Sequence, residues 1–139
     1  MSYETPQAAE DAYYDALESG DVEAMAGVWG ADEEVACLLP MTPAAIGPQV
    51  QRMWRAIFEQ GGRFDLQVTH LGWVEGADLA IHLVEERVVA QPGREVPSPI
   101  YATNVFRRGP DGWRLMLHQN SPTPPPPPTM PGDGQTAFA

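Results

Sequence analysis

The residues best suited to chemistry lie near the end of the chain, in Trp113-Arg114-Leu115-Met116-Leu117-His118-Gln119-Asn120-Ser121. Side chains of a strand alternate with a period of two, so Met116, His118 and Asn120 are expected on one face. A histidine titrates near neutrality and can take up or release a proton there. The alternative for His118 is a ring satisfied by a hydrogen bond in a polar core. Glu85 is a second candidate proton carrier, on a strand face shared with Leu79, Ile81, Leu83 and Arg87. If that apolar face points inward, Glu85 reaches the mouth of a pocket, with Arg87 or His118 as its partner. Otherwise Glu85 and Glu86 form a solvated pair at the sheet rim. Tyr101 and Thr103 share a face of the next strand and offer hydroxyls to a polar ligand. One bulge would reverse that parity and turn Asn104 inward instead. Trp29, Trp54 and Phe58 offer aromatic walls for a planar ligand, or simply core.

Other chemistry has little to stand on. His70, His82 and His118 lack metal-ligand spacing, and neither HxxxH nor CxxC occurs. His82 alternates with Leu83 and Glu85 and is expected to face outward. No phosphate-cradling glycine loop and no Gly-x-Ser-x-Gly motif is present. Neither a metal nor a cofactor is therefore expected. The single cysteine, Cys37, cannot form an internal disulfide and reads as a buried, inert thiol in a reducing compartment.

The net charge is −11, and the eight basic residues are all arginines, scattered except for Arg107-Arg108. Without a basic patch, neither nucleic acid nor an anionic membrane surface is an expected partner. No run approaches the ~20 apolar residues of a membrane span. Met1-Ser2-Tyr3-Glu4 lacks the features of a signal peptide, so a cytoplasmic location is expected.

The elements that must position these residues can be read from local signals. Thr5 caps a helix with Pro6 at its first position. Ala9, Ala12, Tyr13, Ala16 and Leu17 give it one apolar face. Gly20 ends it and Asp21 caps the next helix, whose apolar side is Val22, Met25, Ala26 and Trp29. Residues 35–39 read as a short buried strand stopped by Pro40. Gly47-Pro48 opens a third helix carrying Val50, Met53, Trp54, Ile57 and Phe58. Residues 64–74, 79–89, 100–107 and 113–120 read as strands separated by turns. The expected order is ααβαββββ, an α+β fold with helices packed on a mostly antiparallel sheet. Residues 1–121 form the expected domain. Residues 122–139 form a tail whose Pro124–Pro128 run favours an extended polyproline conformation.

The ordered combination of the Gly20-Asp21 corner, the Gly47-Pro48 helix start and the closing Trp113 strand resembles one superfamily from about Pro6 to Pro122. That superfamily contains nuclear transport factor 2, ketosteroid isomerase and the SnoaL-like polyketide cyclases. The chain is most similar to SnoaL-like proteins and to the association domain of calcium/calmodulin-dependent kinase. The resemblance implies a cone, with the sheet curled around a pocket at its wide end. It also implies a homodimer through the outer sheet face, expected to carry Ala80, His82, Val84 and Val88. It places the isomerase tyrosine at Tyr13, seven residues before Gly20. The isomerase base falls on Leu39, which cannot take a proton, and the oxyanion-hole acid falls near Asn104, so that mechanism is not carried over. The cyclases use an acid–base residue in an aromatic-walled pocket, which suits His118, with Tyr13 or Tyr101 as hydrogen-bond donor. A pocket-lining residue of the association domain matches Asn120 by position. The implied function is to hold a small apolar or aromatic molecule, with cofactor-free proton transfer if the protein is an enzyme. The alternative is a non-catalytic binding or assembly domain, since one fold serves many functions.

Overall fold

Helix α1 (Pro6–Ser19) starts where the Thr5 side chain accepts a hydrogen bond from the Ala8 amide (3.0 Å), with Pro6 in the first turn. It ends at Gly20, whose φ of +67° is the left-handed conformation that only glycine adopts cheaply. Asp21 then accepts from the Ala24 amide (3.0 Å) and begins α2 (Val22–Val28). Trp29 falls just outside α2 and bridges to Leu115 instead. Helix α3 (Gln49–Glu59) follows Pro48 and buries Val50, Trp54 and Phe58 at four-residue spacing. The computed structural model describes residues 2–89, 93 and 98–123. The polyproline run expected at Pro124–Pro128 lies outside the described residues.

The strands are β1 (Ala36–Leu38), β2 (Ala45–Ile46), β3 (Leu66–Glu75), β4 (Leu79–Val88), β5 (Ile100–Gly109) and β6 (Gly112–Pro122). They form one sheet in the order β2-β1-β6-β5-β4-β3. Every pairing is antiparallel except β1 with β6. The two-residue β2 was not expected from the sequence, because so short an element has no periodicity to read. Strand β6 runs on to Pro122, at the end of the ladder, where a missing amide donor matters least. Helices and curved sheet make the α+β cone.

Between the helices and the inner sheet face lies a core that includes Ala9, Tyr13, Leu17, Met25, Val28, Trp54, Phe106 and Leu115. The face of β4 that contributes to it is the reverse of the one expected. Ala80, His82, Val84 and Glu86 point inward and are buried, while Leu79 and Leu83 are exposed. The physical reason is room: small Ala80 and Val84 allow α1 to approach the sheet, and the polar His82 and Glu86 find partners on that helix.

Candidate functional site

A cavity of about 430 Å³ opens between α1, α3 and the inner sheet face. Tyr13, Trp54, Ile57, Phe64, Leu39 and Pro40 give it apolar walls, and Glu86, His118 and Asn120 give it a polar one. Sheet register explains the polar wall. His118 sits opposite Asn104 of β5 on one side and Cys37 of β1 on the other. Its Nδ1 lies 2.6 Å from Asn104 Oδ1, and its Nε2 lies 3.1 Å from Asn120 Oδ1. Glu86 Oε2 is 3.7 Å from the same Nε2. Both amide groups are oriented by further bonds. Asn104 Nδ2 donates to Glu10 Oε2 (3.0 Å) and to the Tyr14 hydroxyl (3.2 Å). Asn120 Nδ2 donates to Glu86 Oε1 (3.0 Å) and to the Tyr101 carbonyl (3.1 Å). The Tyr14 hydroxyl donates to Glu86 Oε2 (2.7 Å).

Two opposing influences therefore act on His118. Burial holds its imidazole below the ordinary histidine value, because a charged ring loses its water. Glu86, Asn120 and Glu10 pull the other way. An acceptor faces each ring nitrogen, so the surroundings hydrogen-bond the protonated ring on both sides. These contacts offset part of the cost that burial places on the charged ring.

Tyr13 stacks on His118 with ring centroids 4.9 Å apart and planes 36° from parallel. Burial, then the neighbouring Cys37, Tyr14 and Glu86, push its hydroxyl well above the usual tyrosine value. It stays a neutral donor. That hydroxyl and the indole Nε1 of Trp54 are buried without a hydrogen-bond partner, and both residues line the cavity. A buried donor without an acceptor costs about 1–3 kcal/mol. Cys37 lies beside this site, but burial and Glu86 push its thiol up to about 12, so it is no nucleophile at neutral pH.

Of the residues singled out in the sequence, Tyr13, Trp54, His118 and Asn120 meet at the cavity. Asn104 stands behind His118 and orients it, and Phe58 packs under Trp54 with ring centroids 5.5 Å apart. The others lie elsewhere. Glu85 is on the outer face, bonded to Arg87 (3.2 Å), and Glu86 takes the inward position. Leu83 is exposed on that same outer face. Tyr101 and Thr103 alternate with the buried Ala102 and Asn104 and also point outward. Met116 is displaced by an irregularity between β5 and β6, where Phe106 pairs with Leu115 and Val105 with Leu117. It lines a separate hollow with Trp29, Gly30 and Arg114. Ala80, His82 and Val84, expected outside, are inside, and Val88 lines the cavity.

The sequence reading missed Glu10, Tyr14 and Glu86. For Glu10 a signal was present: it lies four residues after Pro6 and three before Tyr13, inside the buried stripe of α1.

Residues 7–125 match the profile of the SnoaL-like domain, and the chain belongs to that family. A solved protein from Thiobacillus denitrificans is 39% identical, with a TM-score of 0.81 over 89% of this chain and 99% of that one. It is provisionally described as a calcium/calmodulin-dependent protein kinase type II association domain. A Streptomyces avermitilis protein, provisionally described as a dehydratase of the NTF2-like family, is 28% identical (TM-score 0.68, 83% and 91% covered). A ketosteroid isomerase-like protein from Erwinia carotovora atroseptica shares the fold at 21% identity (TM-score 0.63, 86% and 94% covered). A comparison with curated proteins returned no match. Among the described residues no helix is long and apolar enough to cross a membrane.

Proposed function

We propose that the cavity binds a small, largely apolar molecule bearing a carbonyl or similar acceptor, and that His118 exchanges a proton with it through Nε2 when the 3.1 Å contact with Asn120 gives way. The observation that carries this reading is a cavity with a buried histidine in its polar wall, and with Tyr13 and Trp54, each carrying a buried donor without a partner, in its apolar wall. An apolar enclosure with few polar groups suits a small ligand. In this proposal Tyr13 donates to the ligand oxygen, while His118 takes or returns a proton. Asn104 and Asn120 hold the ring, and Glu86 stabilises it when charged. Residues with no proton to give, Leu39 and Pro40, form part of the wall. The buried, unreactive Cys37 thiol agrees with a cytoplasmic location, which is part of the same proposal.

The test is a thermal-shift screen of small aromatic and carbonyl compounds on the native chain and on His118→Ala. A ligand at about 100 times its dissociation constant stabilises the fold by about 2.7 kcal/mol. A hit weakened by the substitution is expected. A hit indifferent to it would move the site away from His118.

A second reading, an assembly domain, is favoured by the outer sheet face. Val74, Leu79, Leu83 and Tyr101 are exposed there, in contrast with the polar surface a solvated face normally presents. The likeness to a protein described as an association domain supports the same idea. We propose that two copies pair through this face, with the cavity left open on the other side of each sheet.

A further inference from the structure

We infer that Glu10, His70 and His82 form a binding site for a divalent transition-metal ion, separate from the cavity. None of the three lines that cavity. They come from α1, β3 and β4, and their ligating atoms all lie within 4.8 Å of one another. His70 Nε2 is 2.6 Å from Glu10 Oε1, and His82 Nδ1 is 3.1 Å from Glu10 Oε2. An ion with bonds of about 2.0–2.2 Å to nitrogen and oxygen holds neighbouring ligand atoms about 3.0–3.5 Å apart. The two carboxylate–imidazole edges reach that spacing by opening less than about 1 Å, and the widest edge, at most 4.8 Å, reaches it by closing.

Charge points the same way. Glu10 is 1% exposed, and its ion-pair partners among the described residues are these two histidines, with no arginine in the set. A carboxylate taken out of water needs a positive partner, and a divalent ion is the strongest available. The donor set is two imidazoles and one carboxylate. Such a set favours zinc, iron(II), cobalt(II) or nickel(II) over calcium and magnesium, which prefer oxygen ligands.

The surroundings are those of a supported site. His82 Nε2, the nitrogen turned away from Glu10, meets Glu75 Oε1 at 3.1 Å. A carboxylate on the far nitrogen of a ligating histidine fixes the ring and strengthens it as a ligand. Asn104 Nδ2 likewise donates to Glu10 Oε2. An entry path exists at the sheet edge, where His70 is 29% and Glu75 47% exposed. Sequence spacing gives no hint of this site, because its ligands are 60 and 12 residues apart along the chain.

The experiment is titration of the untagged full chain, first stripped with a chelator, with zinc by calorimetry and with cobalt by visible absorption. The expected result is one ion per chain, a cobalt spectrum of nitrogen and oxygen ligation, and a raised melting temperature. His70→Ala, at a partly exposed position, is expected to weaken binding at least 100-fold while keeping the native circular dichroism. Glu75→Gln, which leaves the ligands in place, is expected to weaken it about 10-fold to 100-fold. Failure of the native chain to bind one equivalent would overturn the inference. So would binding of equal affinity in His70→Ala, which would assign the ion to surface carboxylates.

Discussion

At the scale of single residues, the site is defined by groups whose bonds are made and by groups whose bonds are not. Tyr13 buries a hydroxyl without an acceptor, so Tyr13→Phe should leave the melting temperature unchanged or raise it, since the orphaned group carries a desolvation cost. The same substitution should weaken a cavity ligand about 10-fold, the value of one hydrogen bond near 1.4 kcal/mol. A large fall in melting temperature would instead show a native partner for the hydroxyl. His118 predicts a pH dependence. Burial puts its folded pKa below the ordinary 6.5, so the unfolded chain takes up a proton that the folded chain resists. The stability it contributes is complete above about pH 6.5 and is lost as the pH falls towards the lower folded value. The urea midpoint of the native chain should therefore drop more steeply between pH 7 and 5 than that of His118→Gln. Equal slopes would remove His118 as the responsible group. His118 and Tyr13 could be picked from the sequence because their chemistry is a property of residue type. The pairings around them could not, since Glu10, Tyr14 and Glu86 reach Asn104 and Asn120 across separations of up to 94 residues.

At the scale of elements, local signals were sufficient for the helices and insufficient for the strands. Thr5, Pro6, Gly20 and Asp21 act within a few residues of themselves, and α1 begins and ends, and α2 begins, where those residues require. The hairpin between β5 and β6 depends on another such residue. Gly112 has φ of +96°, and a Cβ there would stand 2.5 Å from the Tyr3 carbonyl oxygen. That oxygen accepts from the Trp113 amide (2.8 Å), so the contact ties the N-terminal segment to the sheet. Gly112→Ala should cost more than about 1 kcal/mol, combining a left-handed backbone with a clash. Thermal unfolding should show a fall of several degrees. An unchanged melting temperature would mean that residues near Tyr3 do not contribute to the cooperative unit. Strand parity is different. In β4 alternation marks two faces, Leu79-Ile81-Leu83-Glu85 and Ala80-His82-Val84-Glu86, and the bulkier apolar set reads as the inner one. The structure puts the smaller and more polar set inside, against α1. In β6 one irregularity moves Met116 off the face of His118, a shift that no residue type announces.

At the scale of the whole molecule, the two sheet faces differ in character. The inner face holds the cavity and the polar network, and the outer face presents Val74, Leu79, Leu83 and Tyr101. If two copies pair through that face, Leu83→Arg should halve the mass measured by light scattering while leaving cavity ligands bound. An unchanged mass would place the contact elsewhere or show a monomer. The sequence by itself determined the class of fold, both ends of α1, the start of α2 and a few groups capable of acid–base work. Capping, turn formation and helical periodicity act over a handful of residues, so they survive in the order of the amino acids. Only the tertiary structure decided that Glu86 rather than Glu85 meets His118, that Asn104 rather than Thr103 points inward, and that Glu10 meets His70 and His82. Each of those outcomes depends on which side of a strand a helix covers. That choice is made by packing across the whole chain, where the helix needs small residues beneath it and a buried charge needs a partner above it.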